Sequence, residues 1–496
     1  MHQAPTTFGR RTFLVAVGAG VAGLAGGAAW LELGRKHVSA TTLGQWIVER
    51  GKAYVVGHRG SSDVLPEHTM QAYEGAYGWG AGAMEVSTSS TSDGVLICMH
   101  DLTYDRTTTI SGVINDLPSS VLRTARVRQP QLGPFWVTPP LPAIPLLGDV
   151  LARFGGRMVL CVEPKRDADY AAVAAAIHAH GLRDSVVIKL FHTSSNIDVA
   201  KQAGFPLFIY FGPDDVSADA IRATAARLDN AHDYLVIPTS SADGQEYLPD
   251  DLVAAAVSTG IPTWVYPVHR RSEADHYQRL GVTGFLSSSV GYSSGRVLPV
   301  TKDQWSAGKI AVGEMSLDPA STALAPTLRA GGVLALQATS TQHFLTLGQF
   351  CPIRSASGSY RIEFQARWDQ LPTDRTQNMS LAFAHVDDRY YEEGLGRSDG
   401  YHAVHTAQGS LGLYRHGAGS TTAIPLGSNV ATAAPQLGRW MRFRLDVTPT
   451  SLTWSRTDGS QPAQVLADDS HVRGGYLHIG RTSTDGSLSF RHFSIT

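Results

Sequence analysis

The sequence predicts an α/β chain in two parts, a (β/α)8 barrel followed by an all-β jelly-roll sandwich. Two patterns and the length carry that reading. Between residues 54 and 290, short near-continuous apolar runs alternate with helical stretches. From about residue 300 onward, apolar and polar residues alternate with period two. The length of 496 residues is more than one core usually fills.

The first 45 residues stand outside either pattern. "FGRRTFLVAVGAGVAGLAGGAAWL" sets Arg10 and Arg11 before Thr12, Phe13 and Leu14, and a mild Gly/Ala-rich apolar run follows. This is similar to a bacterial twin-arginine export signal. It implies a secreted or cell-envelope location, with cleavage after Ala28, Ala29 or Ala40. The run from Leu14 to Leu31 is long enough to span a bilayer, so a retained anchor is the alternative. Membrane contact is expected only through this segment, if it stays uncleaved. Cys98, Cys161 and Cys351 are an odd number and read as small buried residues rather than a disulfide framework.

Residues 46–300 are assigned to the barrel. Its strands are expected at Tyr54–Val56, Ala83–Val86, Met158–Val162, Val186–Leu190, Leu207–Tyr210, Tyr234–Ile237, Thr263–Tyr266 and Gly284–Leu286. Between them lie Ala-rich helical stretches such as "DADYAAVAAAIHAHGL", on which Asp169, His178 and His180 read as a solvated face. Apolar strands separated by helices indicate a parallel sheet covered on its outside. Eight such units in this length suit a closed barrel. No Gly-rich dinucleotide fingerprint supports an open doubly wound sheet. Residues 301–496 are assigned to the sandwich. In "SYRIEFQARW" Tyr360, Ile362, Phe364 and Trp368 share one face, and "MRFRLDV" repeats the alternation. Trp368 and Trp454 read as core.

Polar residues gather where the barrel strands end, which is the face on which such barrels place their chemistry. The first strand runs into His58 and Arg59, and the second carries Glu85. "VLICMHD" ends on His100 and Asp101, and "RMVLCVEPK" ends on Glu163 and Lys165. The strand "PTWVYP" brings Trp264 and Tyr266, with Trp264 a candidate to stack on a substrate head group. Carboxylates here suggest a hard divalent cation, Mg2+ or Ca2+. Arg59 and Lys165 suit a phosphate. Two imidazoles can divide proton removal and proton donation in a displacement at phosphorus. A net charge of −2 argues against nucleic acid as the partner.

"GHRG…LPEHT", with "MEVSTSSTSDGVLICMHDLTYDRTTT" and the later Glu163-Pro164-Lys165, resembles the glycerophosphodiester phosphodiesterase family. The resemblance covers residues 54–290 and is strongest over 55–108. It implies a metal-dependent hydrolase that cleaves small-molecule glycerophosphodiesters to sn-glycerol 3-phosphate and an alcohol. His58 and His100 match its acid/base pair, Arg59 and Lys165 its phosphate contacts, and Glu85 and Glu163 two of its metal ligands. Glu67 matches a supporting glutamate. Three positions depart from the pattern. Ser87 stands where a third ligand, an aspartate, is expected. His68 replaces an asparagine, and Ser287–Val290 replaces a T-D-x-P turn. Nearly 60 residues after Asp101 form an insertion expected to cap the pocket.

The sandwich resembles laminin-G or concanavalin-like modules, which implies a cell-envelope glycan as its partner. Two other readings of the whole stay open. One is a phospholipase D-like or teichoic-acid-directed hydrolase on the same barrel. The other is an inactive envelope-binding or glycan-binding protein. Because site and core both lie within 46–300, that stretch is expected to fold and act by itself.

Overall fold

The structure is a computed structural model. It describes residues 43–44, 46, 54–240, 247–294, 301–310, 326–339, 344–346, 353, 355, 357–389, 399–420, 422–460 and 462–496. Residues 1–42 and 45 of the export-signal segment, and Cys351, lie outside the described residues.

All eight expected barrel runs are strands. They are β1 (Tyr54–Gly57), β2 (Ala83–Ser90), β4 (Val159–Pro164), β5 (Val186–Phe191), β6 (Leu207–Tyr210), β7 (Tyr234–Pro238), β8 (Thr263–Val268) and β9 (Gly284–Ser287). A short strand, β3 (Leu96–Cys98), pairs antiparallel with the end of β2. The parallel order runs β1-β9-β8-β7-β6-β5-β4-β2, and β1 also pairs with β2, so the sheet closes.

Alternation along each strand divides its side chains between two cores. Val56, Ala83, Cys161, Val187, Phe208 and Val236 fill the lumen, which Trp46 joins. Met84, Val86, Leu160, Val162, Ile188 and Leu190 face outward onto the helices. Helix Leu147–Phe154 shows how the outer layer forms. Leu147, Val150, Leu151 and Phe154 fall at helical spacing and are all buried, each contributing about 1.5–3 kcal/mol. Cys98 and Cys161 are free and buried, as expected. His178 and His180 are solvated, but Asp169 is not. It is buried and bonded to Ser90 and Arg166, because it precedes the helix and turns back onto the end of β2.

The insertion after Asp101 builds a small core of its own from Tyr104, Ile114, Ala125, Val127 and Ile144, which packs on Ile97 and Met99. Beyond the barrel, two antiparallel sheets stack face to face. Strand Tyr360–Gln370 pairs with Met441–Val447, with Phe364 opposite Phe443 and Ile362 opposite Leu445. Trp368 and Trp454 are fully buried between the sheets, in agreement with the alternation.

Residues 40–496 form one compact unit. One joint in it is Asp388, which follows sandwich strand Asn378–His385. Its carboxylate accepts from the backbone N–H groups of Arg271 (2.8 Å) and Ser272 (2.8 Å), and from the Tyr292 hydroxyl. Among the described residues, no helix is long and apolar enough to cross a membrane.

Candidate active site

The strand alternation that fills the lumen with Val187 and Cys161 also aims the next inward residues at the barrel mouth. These are Glu85 and Ser87 on β2, Glu163 on β4, Lys189 on β5, Tyr210 on β6 and Tyr266 on β8. His58 and Arg59 arrive differently, on a tight turn that ends β1. Arg59 there has a φ of 53° and Gly60 a φ of 96°. A left-handed non-glycine residue carries about 1–3 kcal/mol of strain, which this turn offsets with a specific bond. The Arg59 backbone N–H donates to Glu85 Oε2 at 3.0 Å. Gly60 has no substitute, since a Cβ would meet Ala72 at 2.6 Å.

Each carboxylate oxygen of the buried pair has a donor. Lys189 Nζ donates to Glu85 Oε1 and, at 3.1 Å, to Glu163 Oε2. Ser87 Oγ donates to Glu163 Oε2 at 2.7 Å, and Lys165 Nζ to Glu163 Oε1 at 2.8 Å. Lys189 lies under the rings of Tyr210 (4.3 Å to the centroid) and Tyr266 (5.7 Å). Burial alone would depress its ammonium, but Glu163 and Glu85 carry it well above the ordinary lysine range. Burial would raise both carboxyls, and Lys189 is the main cause that holds each well below the usual range.

The imidazoles flank this cluster. His58 is buried. Its Nδ1 lies 2.7 Å from Ser288 Oγ and its Nε2 lies 3.7 Å from Glu85. Burial depresses it well below 6.5 despite Glu85. His100 is partly open to solvent, with Nδ1 bonded at 2.8 Å to Asp101. Burial lowers it too, against the Asp101 bond. Both rings are therefore neutral at pH 7. Because the ionised Asp101 must accept from Nδ1–H, the lone pair of neutral His100 sits on Nε2.

Glu67 supports the site from beside it. It accepts from Arg106 at 2.7 and 2.9 Å and, more loosely, from Arg59 at 3.3 Å. Burial would raise it, yet the Arg106 bonds and the Arg59 charge bring it down to about 2. Gln129 of the insertion accepts from the Glu67 backbone N–H, so the insertion fixes this loop. Arg59 Nε is buried with no hydrogen-bond partner among the described residues, which leaves a donor for a ligand oxygen.

One expected substrate residue is not at the mouth. Trp264 is fully buried, with its ring 5.5 Å from Trp46, 5.5 Å from Phe208 and 5.1 Å from Tyr234. It is the second residue of β8 and so lies a layer deeper than Tyr266, which takes the mouth position instead. His68, expected in a loop, is buried against Tyr73, with Nδ1 2.8 Å from its hydroxyl. Lys189, Tyr210, Arg106 and Ser288 were not among the sequence-based site residues. Lys189 had a signal, since "VVIKLF" places a lysine inside an apolar strand on the inward-facing register.

The expected divalent cation does not fit these residues as they stand. A hard cation needs six to eight oxygens for Ca2+ or near-octahedral geometry for Mg2+. Here the third carboxylate is replaced by Ser87, whose hydroxyl is engaged with Glu163. The two remaining carboxylates share Lys189. Among the described residues, no group of three or more His, Cys, Asp or Glu side chains could hold a metal ion.

Residues 58–291 match the model of the glycerophosphoryl diester phosphodiesterase family. A Mycobacterium tuberculosis protein named "Probable glycerophosphodiester phosphodiesterase 1" is 42% identical over 73 residues. That stretch is 15% of this chain and 27% of the relative, so the chain spans about a quarter of that relative's length. The glycerophosphodiester phosphodiesterase of Bacillus subtilis is 26% identical over 274 residues, 51% of this chain and 88% of the relative. A solved glycerophosphodiester phosphodiesterase from Agrobacterium tumefaciens covers 49% of this chain and 99% of its own, at 22% identity and a TM-score of 0.40.

Proposed function

Because its barrel, residues 58–291, belongs to the glycerophosphoryl diester phosphodiesterase family, we propose that this chain hydrolyses glycerophosphodiesters to sn-glycerol 3-phosphate and an alcohol. The observation that carries the proposal is the pair of imidazoles, His58 and His100, set beside Arg59 and Lys165 at one barrel mouth. A phosphodiester anion entering that mouth meets the Arg59 guanidinium and the Lys165 ammonium. One imidazole takes a proton from a water, or from the neighbouring glycerol hydroxyl, as its oxygen bonds to phosphorus. The P–O bond to the alcohol breaks, and the other ring, which takes up a solvent proton once the phosphodiester anion is bound beside it, gives that oxygen this proton as an imidazolium. Attack by the hydroxyl passes through a cyclic phosphate, which water then opens. The Nε2 lone pair of His100, fixed by Asp101, suits the first role.

On this reading residues 46–300 are the catalytic part and 301–496 an accessory sandwich, with a cell-envelope glycan as its ligand by resemblance alone. Export through residues 1–45 completes the proposal. Incubation with glycerophosphocholine tests the activity. We expect release of sn-glycerol 3-phosphate with equimolar choline, and none from the His58→Ala and His100→Ala double variant. Release of choline phosphate instead, or no turnover of any glycerophosphodiester, would refute it.

A further inference from the structure

Members of this family generally depend on a divalent cation, and the positions matched to its ligands here are Glu85, Ser87 and Glu163. We propose that in this chain the Lys189 ammonium is the resident cation between Glu85 and Glu163, and that turnover needs no divalent metal. The second clause rests on the phosphodiesterase reading above; the first does not.

The argument is one of place, charge and valence. Lys189 Nζ bonds to both glutamates, the position from which an ion would bridge them. Compare a site with Asp at 87 and a neutral side chain at 189. Serine for aspartate removes one negative charge and lysine adds one positive charge, so the fixed charge rises by two, the charge that a divalent ion would supply. The oxygens are also committed. Glu85 Oε2 takes the Arg59 backbone N–H, Glu163 Oε1 takes Lys165, and Ser87 completes Glu163 Oε2. Nor can Lys189 step aside easily. Its side chain is only 3% exposed, rises from a central strand, and lies under Tyr210 and Tyr266. Lys189 is thus a positioning residue. It compensates the two carboxylates and leaves Arg59 and Lys165 to meet the phosphate, as oriented charges do without reorganising.

Calorimetric titration of the metal-stripped full chain with Ca2+ and with Mg2+ tests the first clause without reference to turnover. The wild type is expected to bind neither. The double variant Ser87→Asp, Lys189→Ser is expected to gain a single saturable site. A wild type that binds one equivalent of either ion overturns the proposal, as does a folded double variant that binds none. Should the double variant fail to fold, the wild-type titration still decides. In the glycerophosphocholine assay, EDTA is expected to leave the rate unchanged. Loss of activity in EDTA with recovery in Ca2+ or Mg2+ overturns the second clause. No turnover under any condition counts against the phosphodiesterase reading alone, because the calorimetry stands by itself.

Discussion

His58 and His100 occupy unlike environments for a pair assigned to one reaction. His58 is buried against Ser288 and Glu85, whereas His100 is partly open and held by Asp101. Each substitution to alanine is expected to lower kcat by about 10²–10⁴-fold, the usual worth of a general acid or base. Circular dichroism and thermal melting should show a folded protein, and wild-type turnover in either folded variant would refute the assignment. The pH profile follows from the shifts. Both rings have values below 6.5 in the free protein, so the basic form of each persists to lower pH than in an ordinary histidine. The acid limb of kcat/KM, which reports the free enzyme, is therefore expected below pH 6.5. Asp101→Asn removes the anion that favours protonated His100 and should move that limb further to the acid side. An acid limb above pH 7 in the wild type would contradict the burial argument. At this scale the sequence was legible where a polar residue ends an apolar run, as at His58, Glu85, His100 and Glu163. It was less legible at Lys189, where a cation interrupts an apolar run and only the inward register reveals its role.

Strand register decides what each residue can touch, and Trp264 shows how much depends on one step of it. Thr263–Val268 continues past Tyr266, so position 264 belongs to the lower lumen layer with Trp46 and Phe208. Gly284 confirms the close fit, since a Cβ there would lie 2.2 Å from the Trp264 ring. The sequence located the strand but not its end, because apolar composition is the same on both sides of that boundary. Trp264→Ala is expected to destabilise the protein by about 3–5 kcal/mol, as in other large core truncations, read as a lower Tm. Trp264→Phe should retain KM for glycerophosphocholine within about twofold, since substitutions away from the substrate leave binding contacts intact. A marked rise in KM with an unchanged Tm would return Trp264 to the mouth. Tyr266 is the residue at which a KM effect is expected instead.

The same logic extends to the sandwich, where the alternating strands were easy to read but the destination of their histidines was not. His385, His402, His405, His416 and His478 are buried there. Burial lowers all five, with His416 at about 4 and His385 and His405 at about 3. In the unfolded chain each regains a value near 6.5. Below that pH the unfolded state binds more protons than the folded one, so stability is full above about 6.5 and is lost as pH falls toward 4. Each group costs about 1.4 kcal/mol per pH unit in that window. Melting curves from pH 7.5 to 4.5 should show the decline, and replacing His402 with Leu should flatten it. A Tm independent of pH in this range would refute the linkage.

At the scale of the molecule, the barrel and the sandwich meet where the chemistry is. Asp388 of the sandwich accepts from the first N–H groups of helix Arg271–Arg279, which follows β8 on the active face. It also accepts from Tyr292, in the short helix after β9. A second joint lies in the insertion, where the Phe135 N–H donates to Gly308 at 2.9 Å. The sequence could not show either joint, because each pairs residues far apart in the chain through single polar contacts. Their presence bears on whether residues 46–300 suffice. Cutting after residue 300 removes the Asp388 carboxylate from three donors, and a hydrogen bond to a charged group contributes about 1.5–3 kcal/mol net. The ends of β8 and β9 would loosen with them, and these carry Tyr266 and lead to Ser288, the partners of Lys189 and His58. The truncated chain is therefore expected to melt at a lower temperature and to turn over glycerophosphocholine more slowly than the full chain. Asp388→Ala in the full chain should reproduce part of both effects, whereas an exposed aspartate such as Asp219, changed in parallel, should leave both unchanged. If the truncated chain and Asp388→Ala both match the wild type in Tm and kcat/KM, the sandwich is an independent module and the joint at Asp388 has no part in shaping the mouth.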